Sequence, residues 1–358
     1  MKRVFSLIMV IGVMALVLAL MPGCAEEEAK TLTIYHAGSL AVPLEQLEAD
    51  FEADHPNVDI LRESGGSAAM ISKSITREEA GETPPDIIAS ADYTLIPNRL
   101  YEPGYADSTI IFAKNQMVLC YRDGAPFAED IESGDRTWYD VLRNEEVTWG
   151  HSNPDDDPCG YRSLMVFQLA EDFYFDDAET FGNTPDPDAD GLYDACIPGT
   201  DEERGRVTEG RQTVRSKSVD LIGMLQSGDL DYAFEYSSVA VQHELGYIEL
   251  DDAINLSAVG TIGDSGVTYA EFYSSASVPL QTAPGEYSNM EGAAIVYGIT
   301  IMKNAPETEL AAEFIEFLLS DIGKQIFEVE NGQPFVSPPK CDYPAKLPSS
   351  LEDLVVAL

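Results

Sequence analysis

Two strand–turn–helix units and a third strand follow one another between residues 31 and 90, and this alternation narrows the fold more than any other feature of the chain. Thr31-Leu32-Thr33-Ile34-Tyr35 alternates as a strand, and His36-Ala37-Gly38-Ser39 turns it. Leu40 to His55 then carries Leu44, Leu47 and Phe51 at helical spacing. Val58-Asp59-Ile60-Leu61 is a second strand, Ser64-Gly65-Gly66-Ser67 a second turn, and Ala68 to Ala80 a second helix. Pro84 to Ser90 supplies a third strand. Strands joined through helices run parallel, so these units predict an α/β sheet. The ligands of such sheets sit beyond the carboxyl ends of the strands, where the turns and helix starts gather.

The remaining chain is long enough for a second lobe with its own core. A β-rich stretch, Ser108 to Tyr121, reads as a crossing between lobes. Trp138 to Tyr236 has an alternation of its own: strand at 147–150, helix at 162–173, helix at 220–226 and strand at 230–236. Gly292 to Met302 is strand-like, and Glu307 to Leu319 is an amphipathic helix. The expected organisation is lobe 1 over 31–113, lobe 2 over 114–275 and a return to lobe 1 over 276–358. The proline-rich tail after Asn331 is expected to wrap the surface. Residues 176–205 hold ten acidic residues and little apolar content, which marks an acidic insertion.

The N-terminus reads as a targeting segment. Lys2 and Arg3 precede an apolar run from Leu7 to Met21, and Gly23-Cys24 follows. The expected processing is a signal peptide over 1–23, lipidation of Cys24 and a linker over 24–30. A leader cut nearby or a retained anchor helix would place the rest of the chain outside the membrane equally well. The net charge is −42, spread through helices and loops alike. It excludes nucleic acid and anionic membrane surfaces as partners and fits a surface adapted to high salt. Cys120, Cys159, Cys196 and Cys341 allow three pairings, of which Cys159–Cys196 is the expected one.

Three constellations point to chemistry. Gly38-Ser39 and Gly65-Gly66-Ser67 place hydroxyls and partnerless N–H groups at helix starts, an oxyanion cradle that needs no Lys or Arg. Taken singly, each serine is more simply a helix cap, and it is the pair of such turns on successive units of one sheet that points to a ligand. The run Asn153-Pro154-Asp155-Asp156-Asp157-Pro158-Cys159-Gly160-Tyr161-Arg162-Ser163 feeds a helix, and a carboxylate there is compatible with an anion whose central atom accepts oxygen donors. Asp186, Asp188, Asp190 and Asp194, with Gly191, match the first part of a calcium loop, but Ile197 stands where its bidentate Glu belongs. Enzyme signals are thin. His36 beside Gly38-Ser39 is the one pair suggesting a nucleophile and base, and a wall histidine is the plainer reading.

With these segments in view, the mature chain resembles the archaeal tungstate/molybdate-binding lipoproteins, solute-binding components of ABC importers. The resemblance is carried by His36-Ala37-Gly38-Ser39-Leu40, Gly65-Gly66-Ser67, Asn115-Gln116-Met117-Val118-Leu119, Asp157-Pro158-Cys159-Gly160-Tyr161-Arg162 and Asp231-Tyr232-Ala233-Phe234-Glu235-Tyr236. It implies a two-lobed class II periplasmic-binding-protein fold, each lobe a mostly parallel sheet flanked by helices, that binds rather than catalyses. It implies that Gly38, Ser39 and Ser67 face the anion from lobe 1. Asp157, Pro158, Cys159 and Tyr236 would face it from lobe 2, with Asp157 as a carboxylate ligand of the metal. The family's second carboxylate, a Glu, is replaced by Ser218 in Arg215-Ser216-Lys217-Ser218. Either Ser218 donates to a tetrahedral anion or another carboxylate such as Glu235 substitutes. In a strand Glu235 points away from Tyr236, which favours Ser218. The implied partners are a permease and the lipid anchor's membrane, with the protein itself a monomer. A sulfate or phosphate binder of the same fold is the alternative, and a calcium-dependent adhesive or enzymatic surface lipoprotein a more distant one.

Overall fold

The computed structural model describes residues 29–358, so the expected signal peptide and the expected lipidation at Cys24 lie outside the described residues. Four strands open the chain: β1 (Lys30–Ala37), β2 (Val58–Gly65), β3 (Ile87–Ser90) and β4 (Ile110–Lys114). Five more build a second sheet: β5 (Met117–Tyr121), β6 (Trp149–Ser152), β7 (Gln212–Arg215), β8 (Tyr232–Tyr236) and β9 (Gly246–Glu249). A hairpin, β10 (Ser277–Ala283) and β11 (Glu286–Glu291), leads back to β12 (Val296–Ile301), β13 (Phe335–Cys341) and β14 (Val356–Ala357), which rejoin the first sheet.

The first sheet is ordered β14-β13-β4-β12-β3-β1-β2 and the second β7-β6-β8-β5-β9. In the first, β2, β1 and β3 run parallel, as the helical crossovers demand, while β12 runs antiparallel to both β3 and β4. In the second, β7, β6 and β8 are parallel and β5 is antiparallel to β8 and β9. Each sheet is therefore mixed rather than mostly parallel. The strands that break the pattern, β4, β5 and β12, are those that carry the chain between lobes, and Asn115-Gln116 alone separates β4 from β5.

Helix α1 (Ala41–Asp54) follows β1 and α2 (Ser67–Glu79) follows β2. Phe51 of α1 meets Phe314 with ring centroids 5.4 Å apart. In the second lobe α3 (Trp138–Arg143), α4 (Pro158–Glu171), α5 (Leu192–Cys196), α6 (Val219–Ser227) and α7 (Ser237–Gln242) surround the sheet. Trp138, Trp149, Phe167 and Phe234 form its aromatic centre, with Phe167 at 5.3 Å from Trp149 and 5.2 Å from Phe234. A last long helix, α8 (Thr308–Leu319), has the amphipathic spacing seen in the sequence and buries Leu310, Phe314 and Leu318.

One expectation changes here. The tail after Asn331 does not merely wrap the surface. Its β13 pairs antiparallel with β4, and Phe335 packs against Phe112 and Phe327. Pro338 and Pro339 fit because the β13 register is interrupted between Phe335 and Lys340, where ladder N–H groups are not required. The acidic insertion is ordered too: Ala178, Ala189, Leu192 and Ile197 are buried, so a few small apolar residues seat it on the second lobe.

Candidate functional site

The turns after β1 and β2 bring Ser39 and Ser67 to the carboxyl end of the first sheet, where both are buried. Ser67 opens α2, and its Oγ accepts the Ala91 N–H at 3.0 Å. Ser39 Oγ lies 2.9 Å from the Tyr297 hydroxyl. The direction of that bond follows from Asn115. Asn115 Oδ1 accepts from the Gln116 and Ser238 N–H groups, which places Nδ2 as donor to the Ser238 hydroxyl (2.8 Å) and to the Tyr297 hydroxyl (3.1 Å). Tyr297 then gives its own proton to Ser39. Both serine hydroxyls are thus acceptors toward the protein, and each keeps its proton for another partner.

The second lobe contributes a matching group. Tyr236, at the end of β8, is buried, and its hydroxyl accepts from Arg162 Nη1 at 2.8 Å. Its O–H is likewise left to donate. Asp157 caps α4: Oδ1 accepts the Cys159 N–H at 3.2 Å, and Oδ2 accepts the Ser218 N–H at 2.8 Å. One carboxylate so joins the N-terminal ends of α4 and α6, where helix partial charge is positive. Burial raises the Asp157 pKa, and the Ser218 and Cys159 N–H groups oppose that rise. Each of its oxygens retains a second lone pair. Pro158 has no N–H to give, and its fixed φ suits the first helical position.

The lobes are in direct contact here. A Cβ on Gly66 would fall 2.1 Å from the Asp156 carbonyl oxygen, and one on Gly38 would fall 3.1 Å from Val219 Cγ2, so both turns approach the second lobe as closely as backbone allows. Arg162 crosses from lobe 2 to the Ala91 carbonyl (2.8 Å) and to Asp92 Oδ2 (3.3 Å), and Tyr161 donates to the same Asp92 oxygen. Burial works against the Arg162 charge, but Tyr236, Tyr161 and Asp92 around it more than compensate and keep it ionised. A buried pair of this kind is tolerated because the guanidinium N–H groups and the Asp92 oxygens find partners on both sides.

Gly38, Ser39, Ser67, Asp157, Pro158, Cys159, Ser218 and Tyr236 therefore line one interlobe seam. The other expected residues do not join it. Cys159–Cys196 is not a disulfide: all four cysteines among the described residues are free and buried. Cys196 lines a recess with Trp149 and Leu142 at the start of β6, whereas Cys159 packs by the Phe234 carbonyl at the seam end. The calcium set does not converge either, and no group of three or more potential ligands is found among the described residues. Asp186 caps a short 3₁₀ turn and accepts from the Tyr139 hydroxyl (2.6 Å), while Asp194 pairs with Arg204 (2.6 Å). His36 forms no dyad with Ser39. Its Nδ1 donates to the Ala37 carbonyl, and burial, with Arg62 and Lys217 nearby, lowers its pKa to about 4.

Five residues of the seam were missed by sequence reasoning: Asp92, Asn115, Tyr161, Arg162 and Tyr297. Ser90-Ala91-Asp92 follows a strand as the two serine turns do, a usable signal. Tyr297 gave none, since it meets Ser39 from 258 residues away.

The chain was compared with known proteins. The model of the bacterial extracellular solute-binding proteins matches residues 32–331. The molybdate/tungstate-binding protein WtpA of Pyrococcus abyssi is 38% identical over 314 residues, covering 86% of this chain and 85% of that protein. WtpA of Thermococcus kodakarensis is 36% identical over 318 residues, covering 87% and 84%. The periplasmic molybdate-binding protein of Azotobacter vinelandii superposes with a TM-score of 0.51 at 17% identity, over 85% of this chain and 98% of that one, a likeness of fold.

Proposed function

Because this chain belongs to the bacterial extracellular solute-binding protein family, we propose that it captures tungstate or molybdate between its lobes and delivers the anion to the permease of an ABC importer. The observation that carries the reading is the state of three buried hydroxyls. Ser39, Ser67 and Tyr236 each accept from a fixed protein donor, which leaves each O–H to donate at the seam. A shell of this kind suits a fully deprotonated tetrahedral anion. Ser218, where the family Glu stands, adds a further hydroxyl beside them. The Gly38 turn and the Pro158-Cys159 helix start narrow the space around the ligand. Asp157 holds the α4 and α6 ends toward it and, through its second lone pairs, is the carboxylate available to the metal.

The lobe division at 113/114 and 275/276, the lipid anchor at Cys24 and the monomeric state belong to the same reading. The lobes close on the ligand through the Asp92–Arg162 contact, and the closed form is what a permease would meet. Sulfate is the second reading, since it offers the same charge to the same hydroxyls with shorter bonds. Hydrogenphosphate carries a proton that needs an acceptor, and Asp157 is the group of the seam that could take it, so phosphate is a third reading. Calorimetric titration of the mature chain at high salt with tungstate, molybdate, sulfate and phosphate decides among these. The expected order is tungstate or molybdate well ahead of sulfate, with phosphate weakest; heat from none of them would overturn the proposal.

A further inference from the structure

Asn115 is one of the two residues that carry the chain from β4 to β5, and it is buried. Its main chain is held by the return crossing, because its N–H donates to the Ile295 carbonyl at 3.3 Å, just ahead of β12. Its side-chain amide can take only one orientation. Oδ1 faces the Gln116 N–H (3.0 Å) and the Ser238 N–H (3.3 Å), neither of which can accept. Nδ2 therefore gives its two hydrogens to hydroxyls, Ser238 Oγ at 2.8 Å and Tyr297 Oη at 3.1 Å. Tyr297 stands where the pairing of β12 with β4 shifts register, a bulge of the kind that re-aims a side chain. Among the described residues the Tyr297 hydroxyl meets Asn115 and Ser39 alone. It accepts from Asn115, and a buried proton left idle would forfeit a bond, so it donates to Ser39. These hydrogen bonds run one way, from the crossing between the lobes to the seam.

Resting on the oxyanion reading above, we infer that Asn115 is a positioning residue that sets the polarity of the anion shell without touching the anion: its amide, through Tyr297, makes Ser39 an acceptor toward the protein and so a donor toward the ligand. Such a relay has two directions with the heavy atoms in the same places. Reversed, Tyr297 would give its proton to residue 115, and Ser39 would give its own to Tyr297. Ser39 would then turn lone pairs toward an anion that has no proton to offer. The atom at the Nδ2 position decides between the two directions. A carboxylate oxygen there keeps the shape and reverses the relay, since it accepts and has nothing to donate. The Gln116 and Ser238 N–H groups and the Ser237 hydroxyl already aim at Oδ1. With the Ser238 and Tyr297 hydroxyls turned to the second oxygen, a carboxylate at this position stays ionised.

The test is calorimetric titration with tungstate at neutral pH for the wild type, Asn115→Asp, Tyr297→Phe and the double variant, with thermal melting to establish that each is folded. Asn115→Asp should bind about 100-fold more weakly. Tyr297→Phe should lose only about fivefold, because Ser39 can then still turn its proton to the anion. Adding Tyr297→Phe to Asn115→Asp should recover about tenfold or more: the phenyl ring cuts the reversed relay, and Ser39 regains its proton for the ligand. Packing defects and the added charge cannot produce that gain, since both persist in the double variant. A double variant no tighter than Asn115→Asp, or a folded Asn115→Asp chain that binds like the wild type, overturns the inference and leaves the oxyanion reading standing. If Asn115→Asp does not fold, the cycle runs from Asn115→Ala, which removes the head of the relay without reversing it. Asn115→Ala and Tyr297→Phe act through the same hydroxyl, so their losses should overlap, and losses that simply add overturn the inference. Wild-type chain that takes up no oxyanion overturns both.

Discussion

Asp155-Asp156-Asp157 and Asp186-Pro187-Asp188-Ala189-Asp190 are two acidic runs in one lobe, alike in sequence and opposite in use. In the first, Asp157 is buried and binds the N–H groups that start α4 and α6, while Asp155 accepts from Arg206 and from the Gln281 N–H. In the second, Asp186 caps a turn on the surface, and the carbonyls of Asp188 and Asp190 serve Arg143. Density of carboxylates does not distinguish them. What differs is the company each keeps: backbone donors at two helix starts and an opposing lobe in one case, water and peripheral arginines in the other.

The strongest way to break this contrast is to delete one carboxylate from each run. Asp157→Ala strands two buried N–H groups at the seam, so tungstate affinity should fall about 100-fold or more, with a clear loss of thermal stability. Asp188→Ala should move neither by more than about 0.5 kcal/mol. Equal effects in calorimetry and melting would erase the distinction. Next in size is Arg162→Met, which leaves Asp92 buried without its cation. A destabilisation of about 3–5 kcal/mol is expected in denaturant unfolding, and a loss under about 1 kcal/mol would mean the interlobe contact is incidental.

Acidity gives an intermediate effect. Burial raises Glu235 to about 8 from an ordinary value of 4.5, and raises Asp157 as well. The Glu235 contribution is fully present below the unfolded value and is lost as pH rises toward about 8. Buried His36 and His151, both lowered to about 4, act in the opposite sense up to their unfolded value of about 6.5. Melting temperature should fall between about pH 6.5 and about pH 8 at high salt, and Glu235→Gln should flatten that fall. A melting temperature that climbs over the same interval would contradict the assignment. Smaller again is Tyr297→Phe, which removes the donor that fixes Ser39. About 1 kcal/mol, or about fivefold in tungstate affinity, is the expected loss. Smallest is the second run's response to metal: calcium or a chelator should leave the melting curve where it is, because Asp186 and Asp194 are occupied by Tyr139 and Arg204.

Much of this molecule could be read from local pattern. The strand–turn–helix units at 31–80 put Ser39 and Ser67 at one sheet edge, and helix spacing placed 308–319 almost to the residue. Asp157 was legible because Asp-Pro is a helix-start pattern as well as a motif. Residues that act over long sequence separation were not. Tyr297 matters only through Ser39 and Asn115, and Asp92 only through Tyr161 and Arg162. Cysteine count likewise suggested a cross-link, whereas Cys159 and Cys196 are both free and buried.

One feature of the first sheet bears on how the chain is made. β12 lies between β3 and β4 and is paired with both, yet it comes 182 residues after β4 ends, at Val296 against Lys114. The strands that carry Ser39 and Ser67 cannot be locked into their final sheet until that late segment arrives, whereas the second lobe's five strands are contiguous from 117 to 249. A growing chain would complete its inner lobe first and hold the outer one open until nearly its last residues. The seam between the lobes is consequently among the last parts of the protein to form, so a truncated or half-threaded chain would have a second lobe with no opposing face to close on.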